Sequence, residues 1–498
     1  MNKLPNIVLI VMDTAKAKNM SLYGYERRTT PNLERIAESS VVYNKCFAPA
    51  PWTIPSHASL FTGVYPSQHG CDGFNYYLPD KFYTIAEILK MIGYTTFGIT
   101  NNVLVSNALA FDRGFDHFTE IWKYFSDKEL NTLYREIQKG KNKKDKLKIL
   151  TGYFLKTRDI TNSYKLLFNK LYIRFVIKDL GFDSTAGTHK SINLAKNMIS
   201  KKSHNDNPFF LFINFMQTHG RYNPPRKFRN IFVKDNAEFE KRNERLYAYR
   251  RHYALTPLEQ DYLQYLEGLY DQEFLFLDSK IWELYEYIYQ EKGLDNTIFI
   301  VTSDHGEFFG EHGHIGHVFT TYNELIHIPL IIKYPPDFRM TEQKDDLVQL
   351  HDLFATLSEV VNSPVPTPES SVSLLSQNKR KYAVSQLLDV RFKIGACLEL
   401  NPDFKVRHFM QSYMSVITED LMKFTRAADL TEEFYDLKSD FYENINLIED
   451  PICIDKIHEL RNLFESLDSM TSFQKVIPKE TSIEEALGMR SKLQESIF

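Results

Sequence analysis

Between Asn6 and Met12 the chain reads NIVLIVM, six apolar positions in a row, and Asp13 follows at once. Such a run, without polar alternation, predicts a strand buried on both faces, as at the centre of a parallel sheet. Similar runs recur at Val41–Phe47, Tyr94–Thr100, Pro208–Phe215, Asn296–Thr302 and Pro329–Lys333. Helical patterns lie between them. Thr30-Pro31 opens a helix over Asn32–Glu38, Gly93 ends one over Thr84–Met91, and Asp261–Lys292 is long and amphipathic. This alternation predicts the α/β class with a mostly parallel central sheet. A Pro- and Ser-rich stretch at 361–376 marks a boundary. After about residue 380, shorter strand-like runs at Val390–Leu400 and Val416–Phe424 precede polar helices. The expected division is a catalytic domain over 1–380 and a smaller α+β part over 381–498. Residues 125–205, rich in Lys, Leu and Tyr at helical spacing, read as a helical insertion without chemistry of their own. There is no internal repeat.

Polar residues stand at the carboxyl ends of four of these strands: Asp13, Asn101, His219 and the pair Asp304-His305. Ligands of open α/β sheets gather at those ends. Asp13, Asp304 and His305 together supply two carboxylates and an imidazole, a set suited to a hard or borderline divalent metal. The competing reading is local: Asp304 caps a turn and His305 packs beside it. The segment APAPWTIPSHASLFTG, Ala48–Gly63, then gains meaning. Pro55 biases Ile54 toward extended backbone and sets Thr53 at a sharp turn into a helix. A hydroxyl beside a metal is a candidate nucleophile, and helix N–H groups would face a bound anion. The alternative is that Thr53 or Ser56 is simply an N-cap. Four histidines crowd Ser303–His317, namely His305, His312, His314 and His317; His317 is placed to reach a bound phosphoryl or sulfuryl oxygen.

Composition narrows the possibilities. At 498 residues the chain suits one large domain with a smaller one. A net charge of −4 lacks the basic excess of a nucleic-acid or membrane-surface binder. No apolar run is long enough for a membrane span, so no membrane anchor is expected. The four cysteines have no CxxC spacing, which suits a reducing, cytoplasmic setting; a Cys46–Cys71 bridge is the alternative. The 29 Tyr and 37 Phe residues are read as core material in preference to a binding surface.

At this point the sequence resembles the sulfatase family of the alkaline-phosphatase-like superfamily. The resemblance rests on NIVLIVMD (6–13), LYGYERRTTPN (22–32), the Ala48–His69 segment, FFLFINFMQTHGRYNPP (209–225), TIFIVTSDHGEFFGEHG (297–313), Tyr322–Pro329 and EFYDLKSDFYENIN (433–446). It implies an alkaline-phosphatase-like α/β/α sandwich and a metal-dependent hydrolase. Departures from the family pattern bear on the chemistry. Its signature, Cys or Ser-x-Pro-x-Arg, is here Thr53-Ile54-Pro55-Ser56-His57. The family oxidises its Cys or Ser to formylglycine, whereas oxidation of a threonine carbinol would give a ketone. His57 replaces a fixed guanidinium fork. Thr14 stands where the family has a second Asp; the family also carries a Lys upstream of its Tyr-Glu pair, and here His317 lies in that region, before Tyr322 and Glu324.

The expected reaction is attack by Thr53 on a phosphoester of the phosphodiesterase or phosphonate monoester hydrolase kind, ending on water or, as a phosphotransferase, on an acceptor alcohol. One divalent ion (Mn2+, Zn2+, Ca2+ or Mg2+) is expected on Asp13, Thr53, Asp304 and His305. His219 or His317 would protonate the leaving group. His57 and either Asn101 or Asn102 would contact the substrate, a small anionic ester of a sugar or lipid head group. Two alternatives are a sulfatase-like hydrolase of sulfate esters working without formylglycine, and a non-catalytic anion-binding protein on the same scaffold.

Overall fold

The computed structural model describes residues 3–73, 75–123, 145, 148–152, 164–165, 187–202, 207–241, 259–292, 294–338, 342–389 and 411–471. Most of the expected insertion at 125–205, and the run Val390–Leu400, lie outside them. The apolar runs form the interior of an eight-stranded sheet. In chain order its strands are β1 (Asn6–Met12), β2 (Val41–Phe47), β3 (Thr95–Thr100), β4 (His117–Glu120), β5 (Phe209–Phe215), β6 (Thr297–Thr302), β9 (His327–Lys333) and β10 (Glu342–Gln349); β7 (Phe308–Phe309) and β8 (Ile315–Gly316) make a separate two-stranded ribbon. The spatial order is β10-β2-β9-β6-β1-β5-β3-β4, and β9 runs against all the others. β1 is therefore central, paired in parallel with β5 and β6.

Alternate residues of β1 serve two cores. Ile7, Leu9 and Val11 join one apolar cluster and Val8, Ile10 and Met12 the other, all fully buried. That period of two, in a run apolar at every position, places helices on both faces. On the first face lie α2 (Thr53–Thr62), α3 (Ile85–Met91) and α6 (Asp352–Val360). On the second lie α1 (Pro31–Ala37), α4 (Thr188–Lys202) and the 27-residue α5 (Gln260–Glu286). Local rules account for the helix starts: Pro31 opens α1, and a Thr84/Glu87 capping box opens α3.

Two expectations need correction. Val416–Phe424 is not one strand but a hairpin: β12 (Tyr413–Thr418) turns through Leu421, at φ 62°, into β13 (Met422–Ala427). The edge strand β10, EQKDDLVQ, was absent from the predicted set. Its charged positions hide the apolar alternation and suit an edge, where unpaired backbone must be kept from other chains.

β11 (Tyr382–Leu387), β12, β13 and β14 (Glu432–Asp436) form a four-stranded antiparallel sheet, covered on one side by α7 (Ile454–Thr471). It is fastened to the main body by buried charge. Lys423 pairs with Glu443 at 2.6 Å and donates to the Thr321 carbonyl at 2.6 Å, while Asn323 N–H donates to Glu443 at 2.6 Å. Arg380 pairs with Asp352 at the start of α6.

Two histidines near this junction are held neutral. Burial pushes His69 down to about 3 and His351 to about 4, the latter aided by Arg380. The unfolded chain, with histidines near 6.5, binds more protons than the folded one between about pH 6.5 and 4. Stability is therefore complete above about pH 6.5 and falls as pH drops through that window, by up to about 1.4 kcal/mol per pH unit for each ring. Urea midpoints measured from pH 7 to 5 are expected to fall, and His351→Phe to reduce the slope. A flat profile would show that the rings are not held neutral.

Candidate active site

The sheet brings the carboxyl ends of β1, β3, β5 and β6 side by side. The ladder runs past the strands proper, with Asp13 N–H donating to Phe215 O at 2.9 Å and Asn101 N–H to Asn214 O at 3.1 Å. Asp13 is thus held at a fixed height. Thr14 then bends the chain at φ 59°, a left-handed conformation unfavourable for a β-branched residue. Several bonds hold it there. Its Oγ1 donates to Thr218 O (2.6 Å), Thr218 Oγ1 donates back to Asp13 O (2.6 Å), and Tyr270 donates to Thr14 O (2.8 Å). Strain kept in this way is a mark of functional sites.

α2 supplies the hydroxyl. Its N-cap is Trp52, and no side chain caps its first turn. Thr53 and Ser56 therefore do other work. Ser56 Oγ donates to the Asp304 carbonyl at 2.6 Å and fixes the β6 loop, while Thr53 Oγ1 lies 3.4 Å from His305 Nε2. Both residues are buried.

Asp13, Asp304 and His305 have ligand atoms within 4.8 Å of one another, and all three are fully buried. His305 Nε2 lies 3.5 Å from Asp304 Oδ2 and 3.9 Å from Asp13 Oδ1, and neither of those oxygens makes a hydrogen bond. Each carboxylate spends its other oxygen on the protein. Asn102 Nδ2 donates to Asp13 Oδ2 at 2.5 Å, and the Thr14 and His305 N–H groups donate to Asp304 Oδ1 at 3.3 and 2.9 Å. Among the described residues, neither carboxylate pairs with a lysine or arginine. Burial and the Asp13 charge push Asp304 well up, and burial, with His317 adding to it, holds His305 down at about 3. Two buried carboxylates with bare oxygens lack a compensating cation among the described residues, and a divalent cation would supply it. His305 is prepared for that role: its Nδ1–H donates to Gly306 O at 2.9 Å, which leaves the Nε2 lone pair for a metal.

The other candidates divide. His57 is fully buried rather than open to a substrate. Its ring meets Phe61, Phe111 and Phe212 edge-on, Nδ1 donates to Thr53 O at 3.0 Å and stands 3.4 Å from Asp304 Oδ2, and Asn214 Nδ2 donates to Nε2 at 3.4 Å. Burial holds it at about 4, so the ring is a neutral brace. Asn102 reaches Asp13, whereas Asn101 Oδ1 accepts from Ser191 at 2.7 Å on α4. His317 and His219 line one side, with ring centres 4.5 Å (His305–His317) and 5.2 Å (His219–His317) apart.

Sequence reasoning missed three contributors. Glu307 accepts from His317 Nδ1 at 2.9 Å, and Tyr222 donates to the same carboxylate at 3.2 Å. Asn214, a polar residue inside the apolar FFLFINF strand, was a readable signal. Glu307 lay within the quoted SDHGE run, but nothing local shows which side chain it orients.

Comparison with known proteins agrees with this geometry. The sequence profile of the Sulfatase family matches residues 5–363, and that of the C-terminal part of N-sulphoglucosamine sulphohydrolase matches 310–470. An N-acetylglucosamine-6-O-sulfatase of Bacteroides thetaiotaomicron is 24% identical, with 96% of this chain and 89% of that protein aligned. Iduronate 2-sulfatase of Mus musculus is 22% identical over 77% and 74% of the two chains. The fold is similar to that of the phosphonate monoester hydrolase of Agrobacterium radiobacter (TM-score 0.69, 18% identity, covering 94% and 96%). It is equally similar to a protein solved in complex with its substrate D-glucosamine-2-N,6-O-disulfate (TM-score 0.69, 19% identity, covering 96% and 100%). With a matching profile over most of its length and a buried Asp-Asp-His metal site at the carboxyl edge of its sheet, this chain belongs to the sulfatase family and is a metal-dependent hydrolase of the alkaline-phosphatase-like superfamily.

Proposed function

We propose that the protein hydrolyses a sulfate ester of a sugar, with the Thr53 hydroxyl standing in for the family's formylglycine. The observation that carries the reading is the meeting of Thr53, at the uncapped start of α2, with two bare carboxylate oxygens and His305. The curated relatives act on sugar and uronate sulfates by their names, and family membership extends that class here. Charge supports it too. One divalent ion balances Asp13 and Asp304, and His57 stays neutral, so a monoanionic sulfate is matched better than a dianionic phosphate monoester. A cytoplasmic setting fits Cys46 and Cys71, which are both buried and free.

A divalent ion held by Asp13, Asp304, His305 and Thr53 would lower a hydroxyl pKa and screen the anionic head group. Thr53 Oγ, its proton released to solvent, then forms a bond to sulfur as the sulfur–oxygen bond to the sugar breaks. The departing sugar oxygen takes the proton of His317 Nε2–H, and Glu307, fixed by Tyr222, stabilises the charged ring through Nδ1. Water then forms the new bond to sulfur as the Thr53 Oγ–sulfur bond breaks; one of its protons returns to Thr53 Oγ, the other recharges His317, and sulfate leaves. His219, beside His317, is the second candidate for proton transfer. His57 orients Thr53 and Asp304 instead of touching the substrate.

A second reading, hydrolysis or transfer of a monoanionic phosphoester, is favoured by Thr53 itself, because an unmodified alcohol is a competent phosphoryl acceptor. An ester panel separates the two: p-nitrophenyl sulfate, phosphate, phosphodiester and phosphonate, with 6-O-sulfated N-acetylglucosamine. Sulfate turnover is expected to dominate. Thr53→Ala should lower kcat by about a thousandfold or more, whereas Thr53→Ser retains activity. Dominant diester or phosphonate turnover would establish the second reading. No turnover of any ester, with metal bound, would favour an anion-binding protein.

Leaving-group dependence tests the proton donor. p-Nitrophenolate departs without a proton and a sugar alkoxide does not. Glu307→Gln and His317→Gln should therefore slow sugar sulfate hydrolysis by about a hundredfold or more, and p-nitrophenyl sulfate hydrolysis much less. Equal losses on both would remove His317 from that role and turn attention to His219.

A further inference from the structure

We infer that this metal site selects a four-coordinate first-row transition ion, of the zinc or cobalt kind, over calcium. The inference deepens the metal-dependent reading above and rests on the donor atoms that this chain leaves available. Calcium takes about six to eight oxygens at about 2.3–2.6 Å, often from bidentate carboxylates. Neither carboxylate here is free to act in that way. Asp13 Oδ2 is committed to Asn102 and Asp304 Oδ1 to two backbone N–H groups, so each offers a single oxygen.

The position after Asp13 adds no carboxylate, because it is Thr14. That hydroxyl is turned to the Thr218 carbonyl at 2.6 Å, and the left-handed backbone beneath it is fixed by Tyr270. What remains is Asp13 Oδ1, Asp304 Oδ2, Thr53 Oγ1 and one imidazole nitrogen, His305 Nε2. The tautomer of that ring is set by its bond to Gly306 O. Imidazole is a borderline ligand that suits zinc, copper, iron and nickel and contributes little to a hard calcium site.

Spacing is compatible with this donor set. From His305 Nε2 the three oxygens stand at 3.4, 3.5 and 3.9 Å. A tetrahedron with arms of about 2.0–2.1 Å has edges of about 3.4 Å, and the two shorter separations from His305 fit such edges. The surroundings resist expansion. His57, inside its ring of Phe61, Phe111 and Phe212, stands against Asp304, and Ser56 ties the Asp304 backbone to α2.

The test uses the full-length protein stripped with a chelator, and metal salts alone as probes. Calorimetric titration is expected to give one equivalent of Zn2+ bound at least a hundredfold more tightly than Ca2+. Co2+ should produce the intense visible bands of a four-coordinate ion with a nitrogen ligand. His305→Asn exchanges the ring nitrogen for an amide, and should abolish those bands and narrow the Zn2+/Ca2+ ratio at least tenfold. Circular dichroism establishes that the variant is folded, and Asp13→Asn offers a second route to the same loss of binding. Ca2+ affinity within tenfold of Zn2+, the weak spectrum of six-coordinate Co2+, or no binding of any ion would overturn the inference. Ester hydrolysis is measured separately. A zinc-selective protein that turns over no ester would sink the hydrolytic reading alone, and a calcium-loaded, active one would sink the selectivity alone.

Discussion

Two carboxylates facing each other in the dry interior govern this molecule. Asp13 and Asp304 arrive from adjacent parallel strands, both wholly buried, with bare oxygens turned toward one imidazole. Like charges at such separations repel by several kcal/mol unless a cation lies between them. Among the described residues, no lysine or arginine meets that demand. The nearby lysine is directed elsewhere: Lys16 pairs with Glu311 and lies over Phe309. Repulsion left uncompensated at the centre of the sheet is what makes the site a receptor for an ion.

Much of the neighbouring structure reads as reinforcement of that arrangement. The reciprocal Thr14–Thr218 bonds join the ends of β1 and β5, so the metal carboxylate and the loop carrying His219 move together. Gln217, in that loop, bonds Glu273 of α5, and Asn223 N–H donates to the same carboxylate at 2.6 Å. Burial pushes Glu273 up to about 8. Its loop therefore relies on a carboxyl group that carries little charge near neutrality. On the opposite side Ser56, His57 and Asn214 connect α2, the β6 loop and β5. Tolerances of a few tenths of an ångström matter for both metal selection and in-line attack, and they follow from this cross-bracing.

The central strands were legible because burial on both faces leaves no polar residue to interrupt them, and Asp13 and Asp304-His305 stood out at their ends for the same reason. β10 was not legible, because an edge strand replaces apolar alternation with charge. The hairpin at Leu421 was hidden because a left-handed Leu carries no Gly or Asn signal. Within the site, residue type was readable and direction was not. Asn101 and Asn102 are neighbours with the same side chain, yet the backbone beyond β3 sends one to Ser191 and the other to Asp13. His57 read as a substrate contact because the family signature ends in a charged residue there. The aromatic wall that turns it inward comes from Phe111 and Phe212, distant in sequence.

These placements alter how the departures from the family pattern bear on chemistry. The imidazole of His317 stands beside His305 and against Glu307. A buried neutral His57 in place of the family's guanidinium leaves less fixed positive charge around the site. A site with fewer cations gains less from a second negative charge on its ligand, so the change pushes toward a head group carrying a single charge.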